Sequence, residues 1–150
     1  MIAFSIPIIP TAQARARHAA RKLKSGKVIS TTYKSEKQEA NEHPIYAYLK
    51  AYVPVEPLQG ALKLGVKAYL PIPKKSKRWM AEAEAGIERP TTKPDMDNLI
   101  KQIKDCMTKM RFWHDDKQVV EYLPGTGKWY STFPRWEIMV LEVPKIVVRT

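Results

Sequence analysis

Leu62, Leu64, Val66, Ala68 and Leu70 occupy every second position, with Lys63, Gly65, Lys67 and Tyr69 between them. A period of two puts the apolar set on one side of an extended chain, so this stretch predicts a strand with one buried and one basic face. It is expected to lie beside the first strand, near the middle of the sheet. Ile2 to Ile9 reads as that first strand, stopped by Pro7 and Pro10. Val28 to Tyr33 is a short strand, Trp136 to Val143 a last and largely buried one, and Gly125-Thr126-Gly127 a hairpin turn. The period changes at Leu99, Ile103, Cys106 or Met107, and Met110, which recur at helical spacing. Lys101, Gln102, Lys104, Asp105 and Thr108 fall on the wet side of that helix, with Asp97 or Asn98 as its N-cap and Lys109 and Arg111 at its C-terminal end. Ser35 and Gln38 form a capping-box pair ahead of Ile45, Leu49 and Tyr52; Pro44 either kinks this helix or begins a second one. Ser76 caps a helix that turns Trp79, Met80 and Ala83 inward and stops at Gly86. Val53 to Pro57 is a rigid connector. The pattern predicts an α+β fold in one domain over 1–150: a mixed β-sheet of about four or five strands with helices packed mainly on one face.

The 150 residues carry a formal net charge of +11 and a pI near 9.8. Such a surface favours polyanions and speeds encounter with DNA. The cations are clustered. From Gln13 to Lys27 come Arg15, Arg17, Arg21, Lys22, Lys24 and Lys27 without an acid, in a segment whose composition permits either a helix or a mobile arm that orders on phosphate. Lys74, Lys75, Lys77 and Arg78 gather at a helix start, where positive charge is unfavourable unless an anion lies there. Both clusters are read as DNA-facing. The single cysteine excludes an internal disulfide and fits a reducing, cytoplasmic compartment. No apolar run is long enough for a membrane span, and no Walker lysine follows the paired glycines.

Against this basic background, acids are concentrated in Lys93-Pro94-Asp95-Met96-Asp97-Asn98-Leu99-Ile100-Lys101 and in Phe112-Trp113-His114-Asp115-Asp116-Lys117-Gln118-Val119. In an extended segment Asp95 and Asp97 point the same way, whereas only one of Asp115 and Asp116 could join them. Taken singly, Asp-x-Asp before an apolar run is an ordinary helix cap. Three carboxylates in one pocket, however, need protons, a basic partner or a divalent cation. Hard oxygen ligands suit Mg or Mn, which would polarise a phosphoryl oxygen, while Lys101 would neutralise charge developing on the phosphate.

The combination of Pro94-Asp95-Met96-Asp97-Asn98-Leu99-Ile100-Lys101, the aromatic pair Phe112-Trp113 and Asp115-Asp116-Lys117-Gln118-Val119 resembles the RusA family of Holliday-junction resolvases. The close match covers about a fifth of the chain. The resemblance implies a homodimeric endonuclease that cuts opposing strands of four-way DNA junctions with Mg or Mn, in recombination and repair. By position, it implies that Asp95, Asp97 and Asp116 are the catalytic and metal-binding acids and Lys101 the basic residue beside the scissile phosphate. Asp115 matches a less critical family position, and Asp105 an acid whose role stays open. The competing expectations are a less selective flap or fork nuclease and a non-catalytic architectural DNA-binding protein.

Overall fold

A computed structural model describes residues 1–13, 17–33 and 36–148, with only the backbone course at 17–19 and 31–33. The strands are β1 (Ile2–Ile6), β2 (Arg17–Lys22), β3 (Val28–Tyr33), β4 (Leu62–Pro71), β5 (Val119–Tyr122), β6 (Gly127–Ser131) and β7 (Arg135–Glu142). The helices are α1 (Glu36–Leu49), α2 (Lys77–Glu84) and α3 (Met96–Lys109). Five strands form a mixed sheet in the order β1-β7-β4-β5, with β6 also on β4, while β2 and β3 make a separate antiparallel ribbon. The fold is α+β, as the hydrophobic pattern predicts.

The alternation along β4 is realised in full, with Leu62, Leu64, Val66 and Ala68 completely buried. They meet Phe4, Ile6, Trp136, Ile138 and Val140 from the neighbouring strands, Ile45 and Leu49 from α1, and Leu99, Ile103, Cys106 and Met107 from α3. The two longer helices therefore cover a single face of the sheet. β4 does not lie beside β1, because β7 runs between them, antiparallel to both. Pro7 ends β1 after five residues, and a short strand closed by proline suits the edge of a sheet better than its middle.

Gly125-Thr126-Gly127 is not a hairpin. β5 and β6 both run parallel to β4, β5 against Leu62–Leu64 and β6 against Lys67–Pro71. The chain steps back through a turn at Gly125 (φ 87°) and resumes pairing further along the same edge. Val66, paired with Ile138 of β7 but with no partner from β5 or β6 on its other side, donates its backbone N–H to Thr126 Oγ1 at 3.2 Å. Gly65 permits the crossing: a β-carbon there would stand 3.3 Å from Leu123 Cδ1.

α1 is continuous through Pro44, which costs one helical hydrogen bond on an exposed side. The Ser35 cap lies outside the described residues. Ser76 Oγ accepts from Trp79 N and starts α2, and Gly86 follows its C-cap with φ 80°. Gln102 is fully buried rather than solvated, on the side of α3 that carries Leu99 and Cys106. Between α1 and α3, the buried Glu42 accepts from Tyr46 Oη and lies 3.5 Å from Lys109 Nζ. Burial, with the Glu42 charge nearby, pushes the Cys106 thiol up to about 12 and raises the Tyr46 phenol. Among the described residues, no helix is long and apolar enough to cross a membrane.

Thr126→Val keeps the shape of the side chain but leaves the Val66 N–H without an acceptor. Urea unfolding is expected to show a loss of about 1–3 kcal/mol; an unchanged midpoint and slope would mean that the gap between β5 and β6 is solvated.

Candidate active site

α3 supplies one wall of the site. Its N-cap is Asp95, held extended at φ −69° and ψ 143°, and not Asp97 or Asn98. Asp97 therefore stands in the first helical turn, where successive residues rotate by about 100°, and the strand rule that would align it with Asp95 does not apply. Helical spacing instead aligns Asp97 with Lys101, Lys104 and Asp105. Together with Ile100 these line a depression of about 360 Å³, completed by Asp116 and Tyr122. Asp95 is exposed at the helix start, outside that lining. The positive end of the α3 dipole favours the charge on Asp97.

Asp116 arrives from a different element. It opens a short 3₁₀ turn, Asp116–Gln118, that leads into β5. Asp115 caps the turn: its Oδ1 accepts from Lys117 N at 2.8 Å, and that bond holds the Asp115 carboxyl below the usual range. Gln118 completes the capping box. Its Oε1 accepts from His114 N (2.8 Å) and Asp115 N (3.0 Å), and its Nε2 donates to the carbonyls of Leu58 and Gly60, each at 3.0 Å. One side chain thus ties the Asp116 turn to the segment that precedes β4. The 3₁₀ turn, rather than strand alternation, separates the solvated Asp115 from the half-buried Asp116.

The approach to Asp95 is fixed by a residue that sequence reasoning passes over. Lys128 Nζ, from β6, donates to the carbonyls of Thr92 (2.6 Å) and Pro94 (2.9 Å). Arg89 stacks 3.3 Å over the Trp129 ring and donates to the Lys128 carbonyl. Nothing in a lone Lys-Trp pair in a short strand marks such a contact. Lys104 and Tyr122, also missed, close the far side of the depression, with Nζ 3.3 Å from the phenol oxygen. Asp105 accepts a hydrogen bond from the Gln13 side-chain amide.

Asp95, Asp97 and Asp116 make no ion pair with another described residue. Among the described residues no three His, Cys, Asp or Glu side chains stand close enough to hold a metal ion by themselves. The oxygen donors at the depression are the carboxylates of Asp97, Asp105 and Asp116 and the Tyr122 phenol, with no His or Cys among them. Magnesium characteristically takes one or two carboxylates and completes its shell with water and substrate phosphate, so Asp97 and Asp116 fit it; they do not fit zinc.

No described member of the basic clusters lines this depression. Lys74 and Lys75 precede α2, and Lys77 and Arg78 stand in its first turn, all exposed. Lys75 lies over the Trp79 ring at 4.2 Å, and Arg78 pairs with Glu82. Arg21 and Lys22 are exposed on the ribbon. Arg17 begins it, and Arg15 lies outside the described residues.

The family profile described as Endodeoxyribonuclease RusA matches residues 7–141. The chain is 40% identical over 107 residues to a Bacillus subtilis (strain 168) protein described as uncharacterized protein YqaN, covering 64% of this chain and 73% of that one. It is 32% identical over 87 residues to the crossover junction endodeoxyribonuclease rusA of Lactococcus phage r1t, covering 57% of this chain and 60% of the phage protein.

Gln118→Leu removes the four hydrogen bonds that hold the Asp116 turn and strands backbone groups beside β4; urea denaturation is expected to show a loss of about 1–3 kcal/mol. Lys128→Met frees the Thr92 and Pro94 carbonyls. Amide hydrogen exchange is expected to quicken across 95–98 while protection in β1, β4 and β7 holds; equal exchange in variant and parent would remove Lys128 from its positioning role.

Proposed function

The chain belongs to the RusA endodeoxyribonuclease family, and from that premise we propose that it resolves four-way (Holliday) DNA junctions by metal-dependent phosphodiester hydrolysis, in recombination and repair. One observation carries this reading: Asp97 and Lys101 from α3, and Asp116 from the turn before β5, line a single depression in a protein of net charge +11. Asp97 and Asp116, which form no ion pair with another described residue, would repel phosphate unless a cation bridged them to it.

Asp97 and Asp116 would hold Mg or Mn, with Asp95 at the adjoining helix start as the third acid; the ion supplies Lewis-acid polarisation of the scissile phosphate. The other parts of the reaction fall to the chain itself. Lys101 and Lys104, on the same helix face, set ammonium groups beside the phosphate as water adds at phosphorus and the bond to the departing sugar oxygen breaks. Gln118 holds the turn that carries Asp116 and Lys128 the segment that leads to Asp95, so that little reorganisation accompanies the step. Lys74, Lys75, Lys77 and Arg78 form a DNA-facing patch around the start of α2. Symmetric cuts in a two-fold junction call for paired sites, hence a homodimer. The single buried cysteine suits a reducing, cytoplasmic setting.

Asp97→Asn and Asp116→Asn are each expected to lower junction cleavage in Mg by at least about 10²-fold while junction affinity is kept. Cleavage at the parental rate would remove that acid from the mechanism, and faster cutting of flap or duplex DNA than of junctions would replace the substrate.

A further inference from the structure

Among the described residues, β2 and β3 pack on each other and on no other element to any substantial extent. A lone two-stranded hairpin is marginal in water, so a ribbon standing off the body calls for something to lie against. Its composition points to what that is. No acid occurs between Gln13 and Glu36, and Arg21, Lys22, Lys24 and Lys27 are all exposed around a turn closed by the Leu23–Lys27 and Gly26–Leu23 backbone bonds. Val28 and Ile29 are 59% and 44% exposed beside them. Its root is equally telling. Gln13 donates its backbone N–H to the Asn98 carbonyl at 3.2 Å and its side-chain amide to Asp105, while Asn41 Nδ2 holds the Ala12 carbonyl. The chain leading into the ribbon is thus pinned to α3 on the rim of the acid-lined depression.

We infer that this ribbon is a grip for a duplex arm of the DNA substrate, laid against the phosphates beside the strand to be cut. The inference rests on the nuclease reading above for its substrate. A two-stranded ribbon has the width of the major groove, and DNA offers about one negative charge per 1.7 Å of axis for the cations to meet. A second copy of the chain is the poorer occupant, because two acid-free ribbons repel each other. The grip sets affinity and its salt dependence.

The test uses the full chain in EDTA, where no cutting occurs, with a four-way junction and matched duplex as probes. In one variant Arg21→Gln, Lys22→Gln, Lys24→Gln and Lys27→Gln are combined; in another, 17–33 are replaced by a short Gly-Ser linker, which closes because Arg17 and Tyr33 are paired neighbours. Both are expected to weaken junction binding by at least about tenfold near 0.1 M salt. For the four-Gln variant, the slope of log affinity against log salt should shrink by about 3–4, at about 0.9 for each phosphate no longer neutralised. Parental affinity and slope in both variants would overturn the grip, as would a change in self-association by sedimentation with DNA affinity kept. The two readings fail separately. A parent that cuts no branched DNA but whose variants lose affinity sinks the nuclease alone; a parent that cuts, with variants binding as it does, sinks the grip alone.

Discussion

Backbone hydrogen bonding along β4 is the constraint on which the site depends. One flank of that strand is taken by β7, and the other is shared, in the same direction, by β5 and then β6. The Asp116 turn and the approach to Asp95 are both referred to this shared flank, while Asp97 is carried by α3. Gln118 fastens the Asp116 turn to the carbonyls of Leu58 and Gly60 just ahead of β4, and Lys128, on β6, fastens the approach to Asp95. Functional groups carried on loops keep their geometry only when something rigid holds the loops. Here that support is a pair of polar side chains reading main-chain carbonyls.

The protein treats its acids in two contrasting ways. Glu42 is buried between α1 and α3 and is answered there by Tyr46, Gln38 and Lys109. An interior carboxylate without such company would be severely destabilising. Asp97 and Asp116 have no described cation within ion-pairing reach, yet they border a hollow with Lys101 and Lys104 on its wall. Charge that the fold leaves unanswered at a concave surface is charge available to a ligand, and the surrounding positive field selects which ligands approach.

Much of this arrangement is legible in the residues. The strict alternation of β4 and the 3.6-residue spacing of α3 belong to elements long enough for their burial to dominate, and both are realised. Expectation and structure part where a tertiary partner decides the outcome. Within the stretch from Gln13 to Lys27, read as a helix or a mobile arm, the described residues Arg17–Lys22 form a strand, because Val28–Tyr33 pairs with them across a glycine turn. Gly125-Thr126-Gly127 carries hairpin chemistry, but β4 offers a second docking register that reverses its meaning. The place of Asp97 turns on a shift of the N-cap to Asp95, which exchanges a two-residue period for a helical one. Residue type assigns Gln102 to water, although its position on α3 faces the core. No local signal points to Lys128, since its partners lie 34 and 36 positions away.

The burial of Cys106 has a practical side. It is the chain's one cysteine, fully enclosed, with a thiol that stays protonated at neutral pH. Maleimide chemistry requires an accessible thiolate, so the native chain presents a silent background. A fluorophore or spin label can be placed at any surface position through one introduced cysteine, and Cys106 need not be sacrificed from the middle of α3 to do so.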